Sequence, residues 1–143
     1  MTEAEENTIV ALDSLSANEF RVEINGVNVP GIFRVSGLRA FDYAKPEQRS
    51  HLTITKMVER DPSSAFNAWL RETVEGKSSD QSVSRTIEVI AVDDGVETRR
   101  WVIEQASLVN VSYSDFNSAS TELVEEIIQL QYRTISLKWS GSN

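Results

Sequence analysis

Phe20, Val22 and Ile24 alternate with Glu19, Arg21 and Glu23 across residues 18–24. A period of two with apolar residues on one side predicts a half-buried strand. Asn25-Gly26 follows directly and predicts a tight hairpin, because both central positions of such a turn take positive φ. Val27–Val35 is the expected return strand, interrupted at Pro30-Gly31, which suggests an edge or a bulge. Residues 37–50 show no sustained period and read as a long loop, and loops of that length in a compact domain usually serve a function or a contact. Leu52–Val58 predicts another strand, with Leu52, Ile54 and Val58 on one face.

One helix is expected over 62–75. Asp61 suits the cap, Pro62 the first helical position and Gly76 the stop. Phe66, Trp69, Leu70 and Thr73 or Val74 form a stripe at helical spacing, fit to pack on a sheet. A polar link, Lys77–Ser82, leads to Arg85–Val92, then the Asp93-Asp94-Gly95 turn, then Val96–Ile103. Leu108–Tyr113 reads as a separate short strand and Ser114–Ser120 as a turn-rich link. Thr121–Leu137 reads as one long strand with Val124, Ile128, Leu130 and Tyr132 on its apolar side. Its other side carries Glu125, Gln129, Gln131 and Arg133 along with Ile127. The pattern predicts a mainly β fold, a sandwich or barrel of about seven strands with one flanking helix.

At 143 residues the chain has room for one domain, given roughly 100–200 residues each. That domain is expected over 18–139, preceded by a flexible acidic arm at 1–17 with a possible short strand at Thr8–Leu12, and followed by a polar tail at 140–143. Hydrophobic residues make up 40% and charged residues 25%, which is ordinary globular usage and excludes collagen-like or wholly disordered chains. The net charge of −8 disfavours sequence-independent nucleic-acid binding, which needs clustered cations, and docking on anionic membranes. The absence of cysteine excludes disulfides, thiolate metal sites and a Cys nucleophile. No signal peptide or bilayer-spanning run is visible, so no membrane anchor is expected.

No enzymatic chemistry stands out, and neither a cofactor nor a metal is expected. The single histidine, His51, is expected at the surface end of a strand. Glu125 and Glu126 are adjacent on a strand and point to opposite faces, so they do not form an acid/base pair. Asp93-Asp94-Gly95 lacks the spaced acids of a calcium loop, and no glycine-rich phosphate loop is present. Trp69 and Trp101 are expected in the core, while Trp139 is expected either to cover an edge or to join an interface. The oddity is one of edges. A solitary sandwich blunts its bare strand edges, yet the strands here are long, part of the polar side is uncharged, and Ile127 interrupts it. That pattern suggests a sheet continued by neighbouring subunits.

The order of segments then becomes telling. Asn18–Gly26 is followed by Phe33-Arg34-Val35-Ser36-Gly37-Leu38, then by Ser64–Arg71 with Trp69. Thr98–Ala106 reads RRW-x-x-E-x-A, and Leu108–Glu126 closes the series. Over roughly residues 18–137 this resembles the tail tube proteins of contractile phage tails and related injection systems. It departs at Ala40–Ser50, which lacks a glycine-rich run, and at Ser107-Leu108, where a proline is common.

The resemblance implies hexameric rings whose subunit sheets join into one inner barrel, stacked head to tail inside a contractile sheath. Such a tube conducts DNA or protein cargo through a target envelope. Expected partners are further copies of the chain, the sheath protein, and baseplate and terminator proteins. The chain would be made in the cytoplasm and built into a virion tail or injection particle. Glu125, Gln129 and Gln131 are expected to face the lumen. Phe41, Asp42, Tyr43, Lys45, Arg49 and Ile127 are expected at contacts between subunits or rings, with the 37–50 loop and the N-terminal arm bridging rings. Two alternatives stay open: a discrete ring of the type VI kind or a baseplate-proximal tube initiator, and a monomeric ligand-binding β-sandwich.

Overall fold

The computed structural model describes residues 14–42, 50–76 and 83–140. The possible strand at Thr8–Leu12, most of the N-terminal arm, the Lys77–Ser82 link and the last three residues lie outside the described residues. The elements are β1 (Phe20–Ile24), β2 (Val27–Asn28), β3 (Ile32–Ser36), β4 (Ser50–Met57), α1 (Ala65–Val74), β5 (Arg85–Asp93), β6 (Val96–Tyr113), β7 (Glu125–Tyr132) and β8 (Thr134–Trp139). All strand pairs are antiparallel.

Two layers share one long strand. β2, β1, β5, the first part of β6 and β8 form the first sheet, and the last part of β6, β7, β4 and β3 form the second. The sequence reading took β6 for two strands. It is a single run of 18 residues that turns from one layer into the other at a bulge. There Gln105 takes φ 54° and the pairing with β5 slips between Arg85 and Ile87. An extra residue on one strand bends that strand and raises its local twist. The converse error fell on Thr121–Leu137, which is not one strand. β7 ends at Tyr132, Arg133 donates its amide to the Glu104 carbonyl at 3.2 Å, and β8 then joins the first sheet beside β6. A third crossing explains Pro30-Gly31. β2 pairs with β1 in the first layer and β3 with β4 in the second, so the return strand is cut where it changes sheets.

Local turn chemistry matches the sequence. Asn25-Gly26 and Asp94-Gly95 all take positive φ, the geometry that two-residue hairpins need to match strand twist. The helix starts later than expected. Ser64, not Asp61, is its cap, accepting from the Asn67 amide at 3.3 Å. Asp61 instead holds the turn before it, accepting from the Ser63 amide and hydroxyl. The helix then ends at Glu75, with Gly76 beyond it at φ 87°.

Val22, Ile24, Ile87, Val89 and Ile103 of the first sheet meet Leu52, Ile54, Ile128, Leu130 and Tyr132 of the second, and Phe66 and Trp69 of the helix complete this core. Trp69 is 1% exposed, stands edge-on to Phe66 and donates its indole N–H to the Val83 carbonyl. Two charged residues also sit inside. Lys56 and Glu126 face each other across β4 and β7, with Nζ 3.3 Å from Oε1. Lys56 also reaches Glu59 at 3.3 Å and the Met57 carbonyl at 2.7 Å, and lies over the Phe66 ring. The Tyr113 hydroxyl donates to the other Glu126 oxygen at 2.9 Å. A buried charge is tolerable only when its partners replace water, and both ends here are so supplied.

Trp69→Ala removes the largest fully buried side chain and is expected to cost about 3–5 kcal/mol in urea denaturation. Glu126→Ala strands a buried ammonium and is expected to cost about 3–5 kcal/mol, whereas Lys56→Met with Glu126→Leu recovers most of that loss. A double variant no more stable than the single one contradicts the pairing.

Candidate assembly surfaces

The second sheet turns Leu52, Ile54, Ile128 and Leu130 inward and an uncharged polar surface outward. On β7 the outward positions are Glu125, Ile127, Gln129 and Gln131. Their neighbours on β4 are Met57, Thr55, Thr53 and His51, in register. On β6 they are Ser112 beside Ile127, Asn110 beside Gln129 and Ser107 beside Gln131. Arg34 and Ser36 of β3 lie beside Thr55 and Thr53. Hydroxyls and amides therefore cover the middle of this face, with charge only at Glu125 and Arg34.

The outer face of the first sheet is the opposite case. Arg100 lies 2.9 Å from Glu88, 2.5 Å from Glu97 and 4.0 Å from Glu23, and Arg21 reaches Glu23 and Glu97. The aliphatic stems of such side chains cover apolar surface while their heads stay in water, and Ile90, which pairs with both Arg21 and Arg100, is fully buried. Hydrogen bonds from Arg100 and then from Ser140 hold the Glu97 carboxyl down to about 2, from an ordinary 4.5. Hydrogen bonds to Glu97 and then to Glu88 shift Arg100 upward. Partial burial and then the Glu126 carboxylate push the Tyr113 hydroxyl up to about 12.

Both layers have strands paired on one side only. In the second sheet β3 pairs only with β4, and residues 107–113 of β6 pair only with β7. Among the described residues both edges of that sheet are therefore bare. Each displays a large apolar side chain, Phe33 at 41% and Val109 at 51% exposure. Val109 falls in a bulge, between the Leu108 and Asn110 pairings. Neither edge carries the lysines or prolines that blunt edges in solitary sheets. In the first sheet β8 is the outer strand and ends in Trp139, which sits under the Arg99 guanidinium at 5.2 Å in register with it.

The residues singled out from sequence fall into three groups. Glu125, Gln129 and Gln131 share the outward face of the second sheet, as their alternation implied. Ile127, expected at a subunit contact, belongs to the same face and to a strand paired on both sides, so it is not at an open edge. Phe41 is exposed just beyond β3, and Asp42 accepts from Arg39 at 3.0 Å and from the Ser50 hydroxyl. Tyr43, Lys45 and Arg49 lie outside the described residues. His51 is exposed at the start of β4, and Trp101 is half-buried against the core. Sequence reasoning missed Lys56 and Glu126, although both stand at core-facing positions of their strands. A cleft of about 430 Å³ opens between β3 and the first sheet, lined by Leu15, Phe20, Phe33, Leu38, Val89 and Trp101 among others. Its titratable lining is Glu19 and Arg34, short of the convergent polar set that marks a small-molecule site.

A family model described as the T4-like virus tail tube protein gp19 matches residues 39–136, well over half the chain. The chain belongs to this tail tube family. Solved structures share the fold. A chain of the sheath–tube complex of the PVC extracellular contractile injection system, in its extended state, is 15% identical, with TM-score 0.71 over 97% of this chain and 99% of that one. The tube-terminating cap of the anti-feeding prophage is 17% identical, with TM-score 0.70 over 89% and 92%. Hcp1 from Flavobacterium johnsoniae is 14% identical, with TM-score 0.54 over 87% and 96%. A search of curated proteins finds no match. The tail tube membership and the mainly β architecture agree with the sequence reading. The strand count is eight rather than about seven, because the expected 27–35 strand divides into β2 and β3 and the C-terminal run into β7 and β8, while two expected strands merge into β6.

The Glu97 contacts carry a pH signature. A carboxyl held near 2 in the folded state stabilises it fully above about 4.5, and that contribution is lost as pH falls toward 2. Glu97→Gln is expected to flatten this part of an acid-denaturation profile. A profile of unchanged steepness between those values excludes the contribution.

Proposed function

We propose that this tail tube family member is the inner tube subunit of a contractile tail or injection system. In this reading hexameric rings stack head to tail inside a sheath, and the hollow tube conducts DNA or protein cargo. The bare edges of the second sheet carry the reading. A strand edge is a row of unpaired backbone donors and acceptors, and this sheet has one such edge at β3 and a different one at the end of β6. Two unlike edges that pair make a heterologous contact, which closes into a ring when the rotation between copies allows. The second sheets then form a continuous wall, and their Gln, Thr, Ser and Asn side chains line the bore. Glu125, Gln129 and Gln131 face that lumen, and Ile127 lies among them. A wall with little fixed charge offers cargo neither a counterion site nor a strong barrier.

The ion-paired first sheet lies outside, toward a sheath. The sheath–tube complex, the terminating cap and a baseplate structure among similar folds support sheath, terminator and baseplate proteins as partners, with the chain ending in a virion tail or injection particle. The 37–50 loop, with Phe41, Asp42, Tyr43, Lys45 and Arg49, contacts the neighbouring ring. A second reading is a discrete or capping ring, since the fold is shared about equally with a tube cap, TM-score 0.70, and with a chain of a sheath–tube complex, TM-score 0.71. Electron microscopy of the purified chain separates long tubes from single rings.

Phe33→Lys and Val109→Lys each blunt one edge and leave the other free. Val109 is half exposed, so Val109→Lys is expected to keep stability within about 0.5 kcal/mol, while Phe33 also lines the apolar cleft, so Phe33→Lys is expected to cost about 1 kcal/mol and still fold. Neither variant alone closes a ring, while a mixture of the two gives a dimer through the remaining good edges, read by light scattering. Rings formed by either variant overturn the edge assignment.

A further inference from the structure

Asn25-Gly26 is the one Asn-Gly pair in the chain, and both residues are exposed at the β1–β2 turn. Such a pair is chemically labile. The backbone nitrogen of the residue after an asparagine can attack the side-chain carboxamide carbon and expel ammonia. A glycine, having no Cβ, does not shield its own nitrogen. Among the described residues no atom beyond the turn itself lies within 4 Å of where a Cβ at Gly26 would stand, so the space beside this amide is open to water and base.

The closed hairpin opposes that attack. Asn25 and Gly26 take φ 47° and 82°, the two positive values of a type I′ turn. As the mirror image of type I, this turn sets ψ of Asn25 at about +30°. The Gly26 nitrogen then points away from the Asn25 Cβ, whereas ring closure needs the two brought together by rotation about the Cα–C bond. The residue is pinned on both sides. The Asn25 amide donates to the Thr86 carbonyl at 2.8 Å, and the Asn25 Oδ1 accepts from the Thr86 amide at 2.8 Å. The carboxamide cannot swing onto its own backbone without releasing β5. Val29 locks the far side of the turn: it is 4% exposed, belongs to the core and donates its amide to the Val22 carbonyl at 2.9 Å.

We propose that Asn25 is a deamidation site controlled by opening of the β1–β2 hairpin. In the open hairpin the Gly26 nitrogen bonds to Cγ of Asn25 and gives up its proton, and Nδ2 leaves as ammonia, which closes a five-membered succinimide. Water then adds to one of the two ring carbonyls and opens the ring to aspartate or isoaspartate. One water is consumed and one ammonia released, with no change of oxidation state. The two products differ in the fold. An aspartate at this position offers a carboxylate oxygen to the same Thr86 amide. An isoaspartate carries an extra carbon in the main chain, so Ile24 and Glu23 lose their register with Val27 and Asn28, and the pull reaches Val29. A transient opening of the hairpin is thereby recorded irreversibly in the covalent chain.

The full chain is incubated in mildly alkaline buffer beside a synthetic peptide of residues 18–30. Asn25 is followed by peptide mass spectrometry, with aspartate and isoaspartate separated by chromatography. The folded chain is expected to deamidate at Asn25 more slowly than the peptide by about tenfold or more, a tenfold difference being about 1.4 kcal/mol of hairpin closure. Val29→Ala loosens the buried anchor and is expected to raise the rate several-fold. Urea below the unfolding transition is expected to do the same in the wild-type chain, which keeps the test open should that variant not fold. Asn25→Asp is expected to keep the wild-type Tm, and the isoaspartate fraction to lose hydrogen-exchange protection at the Val29 amide. A folded chain that deamidates at Asn25 as fast as the peptide, or a rate that neither Val29→Ala nor urea changes, overturns control by the hairpin. Isoaspartate at this position with the Val29 amide still protected overturns the irreversible record.

Discussion

Backbone hydrogen bonds left open, among the described residues, at the two edges of the second sheet are the constraint on which the proposed assembly rests. Inside a compact domain nearly every buried amide and carbonyl finds a partner. Among the described residues the second sheet stops short at β3 and at residues 107–113 of β6, and the first sheet at β8, which pairs only with β6. Among the described residues nothing covers those edges. Its charged residues are concentrated on the other sheet, where Arg21, Arg100, Glu23, Glu88 and Glu97 form a lattice. The distribution separates two tasks. One face is dressed to meet protein or solvent as a polar exterior, and the other is left neutral and unfinished at its sides.

The bend at Gln105 makes this division possible. β6 contributes to both layers, so the open sheet is tied covalently and by pairing to the closed one. The buried Lys56–Glu126 pair adds specificity to the same region. It ties β4 to β7 in one register, and Tyr113 extends it to β6. Slipping a strand by one residue would turn these charges to the wrong face, so the pair penalises misregister of β4 and β7 more strongly than an apolar pair would.

Much of this was legible in the chain. Alternation placed Gln129 and Gln131 opposite Leu130 and Tyr132, and the Asn25-Gly26 and Asp94-Gly95 hairpins followed from turn chemistry. The continuity of β6 and the division between β7 and β8 were not legible, for one physical reason. Both depend on how a strand behaves where it changes sheets. At Glu104-Gln105 the alternation breaks and reads as a strand end although the backbone runs on through a bulge, whereas at Arg133-Thr134 the apolar parity shifts from Leu130 and Tyr132 to Ile135 and Leu137 with no turn residue to mark the division. The helix cap was misplaced because Asp61 and Ser64 are both good caps, and the choice between them is made by the turn that Asp61 builds with Ser63. The Lys56–Glu126 pair left a signal, a charge at a core-facing position on each of two strands, but its meaning required knowing that β4 and β7 are neighbours.

Amide hydrogen exchange on dissociated chains and on assembled tubes reads the open edges most directly. Protection of amides in Ile32–Ser36 and Ser107–Tyr113 that appears on assembly, while β1 and β5 stay equally protected in both states, is the expected result. Edge amides that exchange as fast in tubes as in dissociated chains, or that are already fully protected in the single chain, contradict the account.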